Sequence, residues 1–538
     1  MRLALLVSAL SLACAAPSFA QVHALAQVPE GPTRLFQGRD IFGLRAASDP
    51  QVRPDGAAVA YVRVTQDIMT DRGHPSIWLV DPATGAQTPL AADDAANLHP
   101  RWSPDGARLA YVVAGPGGAQ LYVKWMATGR SAKVANLEQA PSSIAWSPDG
   151  KTIAMVMLTL APTQPLGAPM AAPPGAKWAE PLKVIDRVTY RRDGAGYVKP
   201  GYRHLFVVSA DGGQPRQLTF GKYDEGGQIA FTPDGKSLLF ATNRSPNWER
   251  EAQESDIYQV SIADGAMTRL TTRDGPDLAP TPSPDGSKIA YVGFDDHGHR
   301  GYENVRLYVM DRDGRNSHVV TGGFDRSVGA PTWAADGKSL YVDFGDHGMT
   351  KVARVSLDGK MQTVASGLTS SAEMDRPYTG GEFSVGKNGL IAFTSGDAAS
   401  PSDISVVRGG RTERLTHLNA DLFADKTLAK VEPLPVTSSY DKKPIDAWLV
   451  TPPNFDPAKK YPLILEIHGG PFAAYGPVFS TDDQLYAAAG YMVVYANPRG
   501  STSYGEAFAN TIDKNYPSHD YDDLMSAVDA AIAKGSVD

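Results

Sequence analysis

The sequence is almost without cysteine. Its 538 residues contain one, Cys14, so the remainder of the chain can form no disulfide and offers no thiol nucleophile. It also lacks a basic excess. Lys and Arg number 51 against 59 Asp and Glu, a net charge of −8, which leaves no electrostatic footprint for nucleic acid or an anionic membrane surface. Beyond the first residues there is no apolar run long enough for a membrane-spanning helix. The opening segment reads instead as a secretory signal: Arg2, a short apolar stretch from Leu3 to Ala16, and Pro17-Ser18-Phe19-Ala20 as a small-residue cleavage site before Gln21. Cys14 lies inside it, with Ser11 where a lipoprotein signal needs leucine, so lipidation is not expected. The expectation is a periplasmic or secreted protein, cleaved after Ala20, that relies on core burial alone.

What the sequence has in abundance is turns. There are 52 glycines and 41 prolines, and many of them recur in one pattern: an aromatic or apolar residue, Ser-Pro-Asp-Gly, then a short alternating strand. The copies centre on Pro54-Asp55-Gly56, Pro104-Asp105-Gly106, Pro148-Asp149-Gly150, Pro233-Asp234-Gly235, Pro284-Asp285-Gly286, Ala335-Asp336-Gly337 and Lys387-Asn388-Gly389. Proline presets the first corner, the Asp or Asn side chain caps the turn, and glycine takes the positive φ that closes it. Each copy is followed by a further strand pair, as at Leu121-Tyr122-Val123 or Ile257-Tyr258-Gln259-Val260, and several end near Leu-Thr. Four short strands at a period of roughly fifty residues are the signature of a propeller blade, and seven copies predict seven blades. Trp102, Trp146 and Trp333 are read as blade-packing residues. The spacing breaks between Leu158 and Arg203, where 161–176 is Pro- and Ala-rich and Ile185 to Tyr197 reads as a decorated hairpin or a substrate-facing insertion.

After about residue 420 the period changes. Val436 to Pro453 reads as a hairpin-like pair around Tyr440-Asp441-Lys442-Lys443, and Tyr461 to His468 and Tyr491 to Ala496 are nearly continuous apolar runs, expected as strands buried on both faces of a parallel sheet. Thr481 to Ala489 and Asp520 to Lys534 read as helices, the second with Leu524, Ala527, Val528 and Ala531 on one face. The order strand, helix, strand, helix is an α/β unit.

Two motifs close those strands: His468-Gly469-Gly470-Pro471 and Asn497-Pro498-Arg499-Gly500-Ser501-Thr502-Ser503-Tyr504-Gly505. A Ser-Pro-Asp-Gly propeller followed by this pair resembles the prolyl oligopeptidase family of serine peptidases, in its acylaminoacyl-peptidase and bacterial dipeptidyl-aminopeptidase branch. The absence of any Glu-Glu pair argues against the dipeptidyl-peptidase IV branch. The resemblance implies a seven-bladed β-propeller over 46–420, preceded by the signal (1–20) and an extension (21–45), and followed by the N-terminal part of an α/β-hydrolase domain over 421–538. It implies peptide substrates cleaved near the amino terminus by a serine–histidine–aspartate mechanism. Gly470 is expected to supply an oxyanion N–H, with Gly469 and His468 shaping that loop.

The departure from the family lies in what is missing. No Gly-x-Ser-x-Gly occurs in the 538 residues, and the family's nucleophile, aspartate and histidine fall after the second helix. The expectation is therefore a chain truncated before the nucleophile elbow and inactive by itself. Ser503, with Gly505 two residues on, follows the wrong strand for a nucleophile, and Arg499 is expected to tie loops together. No cofactor, metal, nucleic-acid or membrane partner is expected. Asp295-Asp296-His297-Gly298-His299 reads as a solvated loop. The competing reading is a TolB-like propeller that binds a partner without catalysis, for which the two C-terminal motifs have no use.

Overall fold

The computed structural model describes residues 34–115, 118–162, 167, 170–179, 183–370 and 374–538. The expected signal and Cys14 lie outside these residues. From Arg45 to Arg414 the chain forms antiparallel four-stranded units in strict chain order. Five are separate sheets, and the last two are joined into one eight-stranded sheet through the single pair Leu368–Ser395. The first strands of neighbouring units touch one another and so lie innermost. Several of these strands carry a bulge with positive φ, at Asp49, His99, Gly227 and Ala279.

The repeated sequence explains the repeated unit. In all seven turns the Asp or Asn carboxyl or amide oxygen accepts the backbone N–H two residues on, from Ala57, Ala107, Lys151, Lys236, Ser287, Lys338 and Leu390. Hydroxyl and N–H donors draw the Asp285 carboxyl down to about 2, Ser283 contributing most. The recurrent Leu-Thr has its own task. The hydroxyls of Thr219, Thr271, Thr321 and Thr416 accept the N–H of Leu205, Ile257, Leu307 and Ile404, pinning the third strand where the fourth leaves it.

Between blades, the tryptophans of the motif donate their indole N–H to the preceding unit: Trp102 to Gln51, Trp146 to Arg101 and Trp333 to Thr281, at 2.9, 2.9 and 3.0 Å. Trp146→Phe keeps an aromatic ring, smaller than the indole, and takes the indole donor from the Arg101 carbonyl. The substitution is expected to destabilise the ring by about 1–2 kcal/mol, read as a lower denaturant midpoint. An unchanged midpoint would show that the indole bond adds nothing to blade packing.

Among the described residues no strand is exchanged between the first and last units, and the ring closes by side-chain packing. Ala47, Val52, Val59 and Tyr61 of the first unit share one core with Ala392, Ile404 and Val406 of the last. Ser402 and Ser384 add bonds across the seam to the Ala47 carbonyl and the Val52 N–H, at 2.8 and 2.9 Å.

Lys430–Thr437, Pro444–Thr451, Met492–Ala496 and Leu463–Glu466 then form a second sheet in that spatial order. The first two strands form the expected antiparallel hairpin and the two apolar runs pair in parallel as expected, while Pro444–Thr451 and Met492–Ala496 join the two parts antiparallel, so the sheet is mixed. Alternation along Met492–Ala496 separates two cores. Met492, Val494 and Ala496 face Ala527 and Ala531 of the Asp520–Ala533 helix, while Val493 and Tyr495 face Trp448, Tyr475 and Ala487 of the Thr481–Ala488 helix. The segment ahead of the first blade, expected as a separate extension, packs back onto this region. Phe36 meets Phe479 with ring centroids 6.1 Å apart, and Lys426 bonds Asp40 at 2.6 Å.

Among the described residues no strand pairs with the outer edge of Leu463–Glu466, and Ile467 beyond it is 46% exposed. At its root Tyr461 and Val537 form a parallel bridge. The Tyr461 N–H bonds the Ser536 carbonyl at 2.8 Å, and the Asp538 N–H bonds the Tyr461 carbonyl at 2.9 Å.

Candidate active site

The Leu463–Glu466 strand delivers His468-Gly469-Gly470-Pro471 to the boundary between ring and sheet. His468 is buried, edge-on to Tyr475 with centroids 5.1 Å apart. Its Nε2 lies 2.9 Å from the Ser501 hydroxyl, which itself donates to the Pro498 carbonyl at 2.7 Å. Ser501 therefore accepts, which places a proton on His468 Nε2, while Nδ1 lies 3.3 Å from the Gly469 carbonyl. Gly470 has φ +133, where a Cβ would stand 3.0 Å from the Phe472 nitrogen. The left-handed half of φ space and the close backbone both require glycine. The Gly470 N–H bonds no acceptor among the described residues.

The Asn497–Gly505 loop packs beneath. The Asn497 side chain pairs with the backbone of Tyr475 at both ends, 2.8 Å each. Arg499 spans Asp523 in a fork, Nε to Oδ2 and Nη2 to Oδ1, both 2.9 Å, and its Nη2 reaches Ser438 at 3.1 Å and Asp441 at 3.2 Å. It thus ties the loop to the last helix and to the first hairpin. Ser503 sits at φ +76 with its hydroxyl against Gly345 of the propeller.

The propeller supplies partners that no local signal in the sequence announces. Tyr378 bridges Tyr475 in antiparallel fashion, and the Gly469 N–H donates to its hydroxyl at 3.2 Å. Arg376 Nη1 lies 3.4 Å from the Ile467 carbonyl. Tyr302 stacks on Phe472 at 5.6 Å, and Asp325 accepts the Glu506 N–H at 2.9 Å. The hint available in the sequence is spacing. The links 320–331 and 369–382, which carry Asp325 and Tyr378, are the longest between units.

Two buried carboxyls stand behind the loop. Asp483 is pushed well above the usual carboxylate range by burial and by the neighbouring Glu466, whose own pKa rises chiefly through burial. Tyr475 donates its hydroxyl to Glu466 at 3.2 Å. No group of three or more potential metal ligands gathers among the described residues. In the Asp295–His299 loop, His299 pairs with Asp296 and His297 with Glu303.

Burial pushes the His468 pKa down. Its folded value lies below its unfolded value, so the unfolded chain binds more protons in between. The contribution to stability is complete above about pH 6.5 and is lost as pH falls toward the folded value. The second domain of His468→Gln is expected to lose that part of its acid sensitivity, measured as denaturant midpoint against pH. Parallel profiles for the two proteins would contradict it.

A ring of blades clamped on a hydrolase-type sheet, with a glycine loop presenting a free N–H at the junction, defines a propeller-capped hydrolase. Residues 45–157 and 196–372 match the TolB beta propeller domain family, and 477–538 match the prolyl oligopeptidase family. The uncharacterized peptidase YuxL of Bacillus subtilis is 30% identical over 530 residues, covering 93% of this chain and 76% of that protein. The chain belongs to the prolyl oligopeptidase family. Dipeptidyl-peptidase 5 of Aspergillus fumigatus is 29% identical over 315 residues, covering 55% of this chain. The chain spans about three quarters of the length of YuxL, and the match to the fungal enzyme covers 42% of that enzyme. The Pyrococcus horikoshii acylaminoacyl peptidase structure shares the fold, with a TM-score of 0.75 at 20% identity, covering 93% of this chain and 72% of that one. No helix among the described residues is long and apolar enough to cross a membrane.

Proposed function

We propose that this chain provides the propeller and the front of the catalytic domain of an exported serine peptidase that releases short units from the amino termini of peptides. The observation that carries the reading is the pairing of two features at one strand. The Gly470 N–H, just past the tip of Leu463–Glu466, bonds no acceptor among the described residues, and Tyr461 at the root of that strand already pairs with Val537 in parallel register. A strand continuing from there would end beside the loop. A serine turned out at that end would face the Gly470 N–H, which would bind the oxyanion of the tetrahedral intermediate together with the N–H following the serine. Gly469 leaves room for the substrate carbonyl, since nothing lies within 4 Å of where its Cβ would be. His468 braces the loop through Ser501 and does not act as the base.

The division of labour follows the sequence boundaries: a leader to Ala20, an extension to residue 45, the ring over 46–420 and the catalytic part over 421–538. The relatives named acylaminoacyl peptidase and dipeptidyl-peptidase support a reading in which the substrates are short or unfolded peptides admitted past the ring to a screened site. A non-catalytic binding propeller would have no use for a glycine loop with a free N–H at the domain junction.

The test is a panel of aminoacyl, acylaminoacyl and dipeptidyl chromogenic substrates, offered to this chain and to any longer form read from the same gene. Turnover by a form bearing Gly-x-Ser-x-Gly, abolished by replacing that serine, supports the proposal. A longer form that folds and cleaves none of the panel sinks it.

A further inference from the structure

We propose that Tyr378, carried by the propeller, is a positioning residue for the glycine loop of the neighbouring domain. The inference rests on the peptidase reading only for what the loop is for. Between His468 and Pro471 stand two successive glycines, the residues with the greatest backbone freedom. His468 is fixed by Ser501 at 2.9 Å and by the Tyr475 ring. Beyond it, the Gly469 N–H is held by the Tyr378 hydroxyl at 3.2 Å, and the Gly470 N–H by no acceptor among the described residues. Within the loop, His468 Nδ1 lies 3.3 Å from the Gly469 carbonyl, a longer contact than its Nε2 makes to Ser501. The N–H of the His468–Gly469 peptide is held from the other domain.

Tyr378 can do this because it is itself fixed. The Thr379 N–H bonds the Ala474 carbonyl at 3.0 Å, and the Gly476 N–H bonds the Pro377 carbonyl at 2.9 Å. The Tyr378 ring packs on Tyr475 with centroids 4.9 Å apart. A short strand pairing across the domain boundary thus carries one hydroxyl to the loop. Docking of the ring and shaping of the loop become one event, so a propeller displaced from the sheet would leave the glycines without this tether.

Amide hydrogen exchange on the 538-residue chain tests this without any catalytic activity. Tyr378→Phe removes the hydroxyl and keeps the ring. Exchange at 467–470 is expected to quicken about fivefold or more, the effect of losing one hydrogen bond, while 474–482 and the melting temperature stay as in the parent. His347→Gln, which removes a different inter-domain contact (Nδ1 to Asp446, 2.9 Å), is expected to leave 467–470 unchanged. Unaltered exchange at 467–470 in Tyr378→Phe would overturn the proposal. So would an equal loss of protection across 474–482, which would mark Tyr378 as a docking residue only. Either failure leaves the peptidase reading standing, because that reading is judged by substrate turnover.

Discussion

Incubated with a fluorophosphonate probe, the 538-residue chain is expected to remain unlabelled, and its peptidase activity to lie on the order of 10⁶-fold below that of an intact triad enzyme. The reason is geometric as well as sequential. Among the described residues, the serine hydroxyl that bonds a histidine ring nitrogen is that of Ser501, 2.9 Å from His468 Nε2. That pair resembles an activated nucleophile only in distance. Ser501 is fully buried, and its proton goes to the Pro498 carbonyl, so the imidazole donates to the oxygen where a base would have to accept. Ser503 has the left-handed backbone of a nucleophile turn, and His347 beside it pairs with Asp446. Yet no hydrogen bond joins the Ser503 hydroxyl to His347; the contact between them runs from the His347 N–H to the Ser503 carbonyl at 3.2 Å. Among the described residues no serine hydroxyl bonds a histidine whose other nitrogen holds a carboxylate, the arrangement that activation requires. Mass-spectrometric recovery of probe on Ser501 or Ser503 would overturn this and demand a different catalytic site.

The second large effect is expected at Arg499. Arg499→Ala leaves Asp523 fully buried without the guanidinium that neutralises it, keeping only the backbone N–H at 2.9 Å. Removing one member of a buried pair costs about 3–5 kcal/mol, because the other charge remains desolvated. The loss should fall on residues 430–538 and spare the ring, since Asp523, Ser438 and Asp441 all lie in that part. Limited proteolysis is then expected to cut within 430–538 at denaturant concentrations where the blades persist. The double substitution Arg499→Met with Asp523→Leu, which removes both charges, is expected to recover most of the loss. A destabilisation below about 1 kcal/mol in the single variant would mean that water reaches Asp523 and the pair acts as a surface bridge.

The blades were legible because their determinants are local. A Pro-Asp-Gly corner and its capped N–H lie within a few residues, and alternation reports which face is inward. The seventh turn remained readable at Lys387-Asn388-Gly389 because Asn388 caps Leu390 as aspartate caps the others. The helix at Asp520–Ala533 was equally plain from its apolar stripe. The second sheet was legible in its parts, the hairpin from the local turn at Tyr440–Lys443 and the parallel pair from its continuous apolar runs. That Met492–Ala496 would lie between the hairpin and Leu463–Glu466 was not plain, because strand order is set by pairing between distant segments. Nor did the sequence reveal that Phe36 would fold back on Phe479.

The candidate site divides along the same line. His468, Gly469 and Gly470 are contiguous, and the demand for glycine at φ +133 is a property of one residue, so the motif could be read directly. Tyr378 lies some ninety residues upstream in a link between blades, and its hydroxyl meets Gly469 only after the ring has closed and docked. Taken by itself, the sequence determined the repeating unit, the change of period near residue 420 and the loop chemistry, since each arises from interactions between near neighbours. The tertiary structure alone decided which blade links reach the second domain, which way the Ser501 proton points and what holds the glycine loop. Those outcomes depend on packing between segments far apart in the chain, where local preference carries no information.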